Sequence, residues 1–365
     1  MVQHFLTGAK KSAPSKCLVL AAVLLCLTVP DWAASRTKQI TQPHPPDILM
    51  DGGRKLTFER TFSFEQEVKP KRGFWTRVVD VIAGEPDFHY LVNPYSITTD
   101  SRGRIIVTDP GARGVHVFDF EGKKYKFLTR RDNEKNPMIA PQCVAVDAQD
   151  NIYVTDSEAG KIFVFDSNGK FRRLIGSLKG GEGYFKRPTG IAVDSAGQHI
   201  YITDTLRNQI FMLDMQGSVL RAIGKTGTGN GEFNSPTELR IFGNHLAVVD
   251  TMNFRVQVLA KDGTFAYAIG KPGDGTGWVF RPKGIGFDTE GHLYIVDALW
   301  GVVQVFDEQG RLLYYFGGKG TGLGQFQLPA GLQIDKNNRI YVVDSFNRRV
   351  QVFHYYGLPT EARNQ

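Results

Sequence analysis

The chain has 365 residues, of which 41% are hydrophobic and 12% aromatic, enough for a large buried core. This composition excludes an intrinsically disordered chain, and the 40 glycines follow no collagen-like period. The formal net charge of +7 falls to +5 without residues 1–35, which is far below the charge of a dedicated nucleic-acid-binding protein.

The first 35 residues are predicted to form a secretory signal peptide. Three lysines precede an uncharged run from Cys17 to Val29, and small residues at 33–35 suit cleavage. We therefore expect export to the periplasm or the extracellular space, with membrane anchoring by an uncleaved signal or a lipid as the minor alternative. Residues 36–54 are interpreted as a proline-containing linker.

Two segments come before the main pattern of the chain. Segment 55–64 has apolar residues of one parity, which predicts a strand, whereas segment 74–83 has helical spacing and predicts a short amphipathic helix. Basic residues lie close to this helix. They are interpreted as solvent-exposed side chains of the segment that leads into the helix, and they also permit a peripheral contact with an anionic membrane. These residues are Lys69, Lys71, Arg72 and Arg77.

From about residue 93, the sequence repeats with a period near 47 residues. Each copy has an apolar run after a proline, a second run ending in aspartate, a third run such as VQVF, and a turn into a fourth run. Short β-branched and aromatic runs separated by turn residues predict four antiparallel strands per copy. The second runs end at Asp109, Asp156, Asp204, Asp250, Asp297 and Asp344. Six such units arranged radially form an all-β, six-bladed β-propeller.

These repeats resemble those of the NHL-repeat family, as found in bacterial exported proteins. The repeated elements are P-x-G-[IL]-x-x-D, [IL]-Y-[IV]-x-D and N-x-[RQ]-[VI]-x-[VF]-[FL], seen most fully in PAGLQID…IYVVDSFNRRVQVF. The resemblance covers about residues 93–356 and implies a six-bladed propeller, which we expect to be monomeric.

The last copy stops after its third strand, and 357–365 form a polar tail. Segment 55–64 is therefore predicted to close the ring within a propeller spanning 55–356.

The six aspartates are interpreted as structural anchors of the repeat. They occur once per blade at equivalent positions, so their carboxylates are not expected to converge on one substrate atom. An aspartate at the end of a strand commonly accepts hydrogen bonds from the backbone of the following turn. Cys143, the one cysteine after residue 35, is interpreted as a small buried apolar residue, and no intramolecular disulfide is predicted.

Candidate functional residues are positions at which the six copies differ, because residues of the scaffold should repeat. We expect them on one face of the propeller, in the loops between blades and between second and third strands. They are Tyr95, Gln142, Glu238, Met252, Phe254, Trp278, Lys283, Leu299, Trp300, Phe346 and Arg348. Large apolar loop residues in the fourth to sixth copies predict an interaction surface, and Glu238 and Lys283 are expected at the mouth of the central channel.

Two functions remain open from the sequence. One is a non-enzymatic scaffold that binds a protein, peptide or envelope polymer. The other, implied by related propellers, is a metal-dependent lactonase- or lyase-like hydrolytic enzyme with its site at the channel mouth. Only Glu238 is suitably placed as an acid, and His199, His245 and His292 are expected on the opposite face, so we predict no catalytic residue, metal or cofactor. Export and the modest charge argue against a nucleic-acid partner.

Overall fold

The structure is a computed structural model that describes residues 43–69, 89–130, 135–180, 182–273, 275 and 277–358. The predicted signal peptide, the predicted helix over 74–83 and most of the polar tail lie outside these ranges. Within the described ranges, no helix has the length and apolar character that crossing a membrane requires.

Six antiparallel sheets form the blades. Blade 1 contains β3 (Ile97–Thr99), β4 (Ile105–Asp109), β5 (Gly114–Asp119) and β6 (Lys124–Leu128); blade 2 contains β7 (Pro141–Val146), β8 (Ile152–Asp156), β9 (Lys161–Phe165) and β10 (Phe171–Ile175). Blade 3 contains β11 (Pro188–Asp194), β12 (His199–Asp204), β13 (Gln209–Asp214) and β14 (Val219–Ile223); blade 4 contains β17 (Pro236–Phe242), β18 (His245–Asp250), β19 (Arg255–Ala260) and β20 (Phe265–Ile269). Blade 5 contains β21 (Pro282–Phe287), β22 (Leu293–Asp297), β23 (Val302–Phe306) and β24 (Leu312–Gly317).

Blade 6 combines strands from both ends of the described chain. It contains β25 (Leu332–Ile334), β26 (Arg339–Asp344), β27 (Arg349–Tyr356), β2 (Lys55–Phe62) and β1 (Ile48–Leu49). Between blades 3 and 4, β15 (Lys225–Thr226) and β16 (Glu232–Phe233) form a short parallel pair. Short 3-10 turns lie at Asp51–Gly53, Glu65–Glu67 and Thr251–Asn253.

The innermost strands form a closed ring, in which β3, β7, β11, β17, β21 and β25 each contact the next and β25 contacts β3. Second strands such as β4 and β8 are buried along their whole length, while the outer strand β24 alternates between more and less exposed residues. This difference explains the sequence pattern, because strands covered on both faces need continuous apolar runs. The six-bladed propeller predicted from the repeats is confirmed.

Adjacent blades pack together through buried hydrophobic clusters. Each of the six clusters in the described chain draws its residues from two neighbouring blades. Between blades 2 and 3, for example, Tyr153 and Ile162 pack with Ile200 and Phe211. Because all six clusters lie between blades, the interfaces between blades account for most of the core. Full burial of one such side chain stabilises the fold by about 1.5–3 kcal/mol.

The ring closes through antiparallel pairing of β2 with β27, from Lys55 opposite Tyr356 to Phe62 opposite Val350. The predicted closing strand is therefore confirmed. A bulge between Phe58 and Arg60 reverses the buried side of β2, so Phe58 packs between blades 5 and 6 whereas Phe62 packs between blades 6 and 1. The interpretation of 36–54 as a linker missed β1, which adds a fifth strand beside β2.

Glu290 of blade 5 ties both ends of the described propeller together. Its carboxylate accepts hydrogen bonds from Arg54 Nε at 3.2 Å, Tyr355 Oη at 3.1 Å and the Leu358 backbone N–H at 2.8 Å. Arg54 precedes the closing strand and Leu358 follows the last strand. This contact therefore reinforces the closure from the neighbouring blade.

Candidate functional site

The anchor aspartates fix the loops of one face. Each accepts a hydrogen bond from a backbone N–H of the connection that leads into its own blade, and all six residues are fully buried. In blade 2, for example, Asp156 accepts from the N–H groups of Ile139 at 2.6 Å and Ala140 at 3.0 Å. The loops before and after each anchor are thus held side by side as one surface, which we call the loop face.

The charges of several anchors are balanced inside the fold. Arg255 Nε lies 2.9 Å from Asp250, and Arg349 Nε lies 2.7 Å from Asp344. Burial alone would raise the pKa of Asp109, but His116 and backbone N–H donors outweigh burial and lower it. The anchors therefore serve the scaffold and present no free carboxylate to a ligand.

Side chains from two innermost strands, β7 and β17, meet in the central channel below the loop face. Cys143 Sγ of blade 2 donates to Glu238 Oε2 of blade 4 at 3.2 Å, and Arg240 Nη1 lies 2.9 Å from the other oxygen of Glu238. Arg240 also donates to the main-chain oxygens of Ile97 in blade 1 at 3.1 Å and Leu332 in blade 6 at 3.2 Å. This group, which we call the channel plug, connects opposite sides of the ring.

The plug contains two residues that the sequence predicted elsewhere or in another role, Glu238 at the channel mouth and Cys143 as a purely apolar core residue. Glu238 was expected at the channel mouth, but its side chain is only 4% exposed and is held by Cys143 and Arg240. Burial raises the pKa of Glu238, and burial followed by the nearby Glu238 charge raises the pKa of Cys143 well above its usual range. The acid of the channel is therefore occupied within the protein.

The mouth of the channel lies one residue closer to the loop face. Lys283 Nζ approaches Tyr95 Oη at 3.5 Å and lies 5.4 Å from the centre of its ring. The two residues belong to blades 5 and 1, and the equivalent residue of intervening blade 6 is the small Ala330. Burial, followed by the charge of Arg281, lowers the pKa of Lys283, and burial raises the pKa of Tyr95.

Two arginines at the mouth are not among the site residues predicted from the sequence. Arg187 and Arg281 are exposed and directly precede the repeated prolines of blades 3 and 5. Both contribute positive charge close enough to affect the pKa of Lys283. A comparison of the residues before each proline, as well as those after it, would have revealed them. With half-buried Gln142, these groups make the mouth cationic and polar.

Exposed apolar side chains of blades 4 to 6 lie on the loop face beside the mouth. We call this set the rim. The predicted members include Met252 at 52%, Trp278 at 39%, Trp300 at 39% and Phe346 at 64% exposure, and the structure adds Phe280 at 42% and Leu328 at 46%. Single exposed apolar residues are common, whereas contiguous exposed apolar patches are rare on soluble monomers, and these six lie in consecutive loops of one face.

The remaining predicted residues support or border the rim. Phe254 is half-buried, and its ring lies 5.7 Å from that of Phe280. Leu299 is half-buried and lines a cleft of about 420 Å³ between blades 5 and 6, together with Leu328. Arg348 is exposed and has a left-handed backbone conformation with φ of 54°. The rim therefore combines exposed side chains with a shallow cleft.

Cations also contact the rim. Lys271 Nζ lies 5.0 Å from the ring centre of Trp278, and Lys319 Nζ lies 5.2 Å from that of Trp300. Exposed cation–π contacts of this kind contribute about 0.5–1 kcal/mol and orient the rings. Among the described residues, no cluster of three or more histidine, cysteine, aspartate or glutamate side chains is arranged to hold a metal ion.

A family model described as a 6-bladed beta-propeller, DUF5128, matches residues 133–205, 192–253 and 287–364. These matches together span more than half of the chain. The chain belongs to this family. The six blades of the structure agree with the blade number in the description of this family. No curated protein matches its sequence.

Solved structures with the same fold have diverse functions. A gluconolactonase from Xanthomonas campestris is 16% identical with a TM-score of 0.56, and the match covers 87% of this chain and 99% of that chain. Virginiamycin B lyase from Staphylococcus aureus is 14% identical with a TM-score of 0.54, covering 82% and 99%. An auxiliary nutrient binding protein from Bacteroides thetaiotaomicron is 13% identical with a TM-score of 0.56, covering 73% and 69%. At these identities the likeness shows the fold alone.

Proposed function

We propose that this protein is an exported, non-enzymatic NHL-type scaffold that binds a protein, peptide or envelope polymer through its loop face. The observation that carries the proposal is the rim, because six exposed apolar side chains lie in consecutive loops of blades 4 to 6. Interfaces are enriched in tryptophan, tyrosine, phenylalanine, methionine and arginine. The rim and the neighbouring mouth contain these residue types.

The alternative is a metal-dependent lactonase- or lyase-like enzyme at the channel mouth. Its support is the likeness to two propellers named as a gluconolactonase and a virginiamycin B lyase. A divalent metal site needs several oxygen or nitrogen ligands that converge on one ion. In the described part of the channel, Glu238 is already bound by Arg240 and Cys143, so binding is the favoured function. Tight stoichiometric metal in the purified protein would reverse this preference.

The test compares partner capture by two double variants in the organism that produces the protein. Trp300→Ser/Phe346→Ser removes two exposed rim side chains, while the matched control Leu220→Ser/Tyr315→Ser removes exposed apolar residues from outer strands. Phe254 is a poorer choice because its half-buried ring packs on Phe280. We expect the rim variant to lose the captured partner and the control to retain it. Equal capture by both variants would exclude the rim as the binding surface.

A further inference from the structure

We infer that the channel mouth is a seat for a carboxylate group of a bound peptide, held by Lys283 with Arg187 and Arg281, while neighbouring apolar side chains of that peptide pack against the rim. This inference rests on the proposed function and specifies the chemistry of its partner.

The positive charge at the channel mouth is unbalanced. Lys283 is half-buried, and its one described polar contact is the neutral hydroxyl of Tyr95 at 3.5 Å. Among the described residues, no carboxylate forms an ion pair with Lys283, Arg187 or Arg281, and the nearby acid Glu238 is paired with Arg240. A cation removed from water needs a counter-charge or strong hydrogen bonds to offset its desolvation. A bound anion would supply both.

The threonine hydroxyl groups next to these cations already have hydrogen-bond partners within the protein. Thr189 Oγ1 lies 2.7 Å from Thr205 Oγ1, and Thr237 Oγ1 lies 2.8 Å from Thr251 Oγ1. These pairs line the same end of the channel in blades 3 and 4. They leave the cations, the Tyr95 hydroxyl and the Gln142 carboxamide as the groups able to receive a ligand. Cationic donors form hydrogen bonds to carboxylates that are about twice as strong as neutral ones.

The arrangement of apolar and cationic residues favours a peptide over an acidic polysaccharide. Phe280 and Arg281 end the connection into blade 5 and Lys283 follows at the start of β21, so apolar and cationic surfaces are continuous there. A peptide can place a carboxylate and an apolar side chain on neighbouring residues. A polyuronate presents carboxylates and hydroxyls but no large apolar side chain for Trp300 or Phe346.

The experiment uses pairs of short synthetic peptides, acetylated and amidated at their ends and immobilised as an array. Each pair has one Glu or Asp among leucine and phenylalanine residues, or Gln or Asn at the same position. We expect the full-length protein to prefer the carboxylate member by about tenfold or more at neutral pH. Lys283→Met should abolish this preference, Lys283→Arg should retain it, and Lys336→Met, which removes an exposed lysine from a turn between β25 and β26, should leave it unchanged.

Thermal unfolding of each variant shows that the fold is retained. Equal binding of both members of the pairs, or an unchanged preference in Lys283→Met, would overturn the carboxylate seat. If that equal binding still requires Trp300 and Phe346, the scaffold function stands and only the seat is lost. Lys283-dependent retention of polygalacturonate without retention of any peptide would overturn the peptide assignment. Retention of no probe would overturn the inference, and the capture experiment would then decide the scaffold function separately.

Discussion

Cys143 and Glu238 are in hydrogen-bond contact across the central channel at 3.2 Å, although 95 positions separate them in the chain. They lie in blades 2 and 4, and the equivalent position of intervening blade 3 is Gly190. A Cβ atom at that position would press on the backbone on both sides of Glu238, at 2.3 Å from the Thr237 carbonyl oxygen and 2.9 Å from the Leu239 nitrogen. The contact between Cys143 and Glu238 therefore depends on the glycine at position 190 as well as on the two residues themselves.

Replacement of Gly190 tests the close approach of neighbouring strands. A Cβ atom at this position would lie 2.3 Å from the Thr237 carbonyl oxygen, which is a backbone atom and cannot rotate away. Gly190→Ala should destabilise the protein by about 1–3 kcal/mol through overpacking. Gly180→Ala is the matched control because a Cβ there meets nothing within 4 Å. Urea denaturation that gives the two variants equal stability would contradict this account.

Removal of the Glu238 carboxylate tests the plug as an electrostatic unit. Glu238→Ala leaves the Arg240 guanidinium, whose side chain is 13% exposed, without its counter-charge. Loss of one partner of a buried ion pair costs about 3–5 kcal/mol, and residual solvent access places this pair at the lower end. Replacing both residues, as in Glu238→Leu/Arg240→Met, should cost less than the single change. A double variant less stable than Glu238→Ala in urea denaturation would disprove the pairing.

Phe62 tests closure of the ring. Its side chain is 1% exposed and packs between blades 6 and 1 from the N-terminal strand β2. Phe62→Ala should cost about 3–5 kcal/mol and lower the midpoint of thermal unfolding, because it removes a buried side chain that joins β2 to blade 1. Thr57→Ala, on the half-buried side of the same strand, serves as the control with a small effect. If Phe62→Ala melted like the unmodified protein, β2 would not close the propeller in solution.

His292 predicts a pH dependence of stability. A 2.8 Å hydrogen bond to Asp288 raises the pKa of His292 above its usual value of 6.5 and outweighs the lowering effect of burial. Because the folded pKa exceeds the unfolded one, this stabilisation is complete below pH 6.5 and is lost as pH rises through the folded pKa. Urea denaturation across this window should show a decline in the unmodified protein that His292→Gln lacks. An identical decline in both proteins would assign the effect to other groups.

The repeats made the scaffold predictable from the sequence, while the site depends on differences between repeats. Six aspartates in near-constant spacing indicated the blades, and the missing last strand indicated a role for segment 55–64. The reversal at the Phe58 bulge and the short strand β1 escaped prediction because neither repeats. Periodicity alone shows what equivalent positions share, and gives no register between strands of different blades.

The channel shows this limit most clearly. Glu238 was expected at the mouth, yet it lies one position deeper than Lys283 in the strand register, which places it within the plug. Contacts such as Cys143 with Glu238 also depend on which blade lacks a side chain. Arg187 and Arg281 were missed because their position precedes the repeated proline, outside the set of residues compared. The position of a residue along its innermost strand, and not its residue type, decides whether its side chain lies in the plug or at the mouth.

The most direct test of the central claim is site-specific photo-crosslinking in the organism that produces the protein. A photoreactive residue would replace Phe346, which is 64% exposed on the rim, or Tyr315, which is 52% exposed on outer strand β24. The account predicts that one defined partner crosslinks at position 346, not at 315, and that Trp300→Ser weakens this crosslink. The same partner captured equally at both positions, or a crosslink indifferent to Trp300→Ser, would contradict binding through the rim.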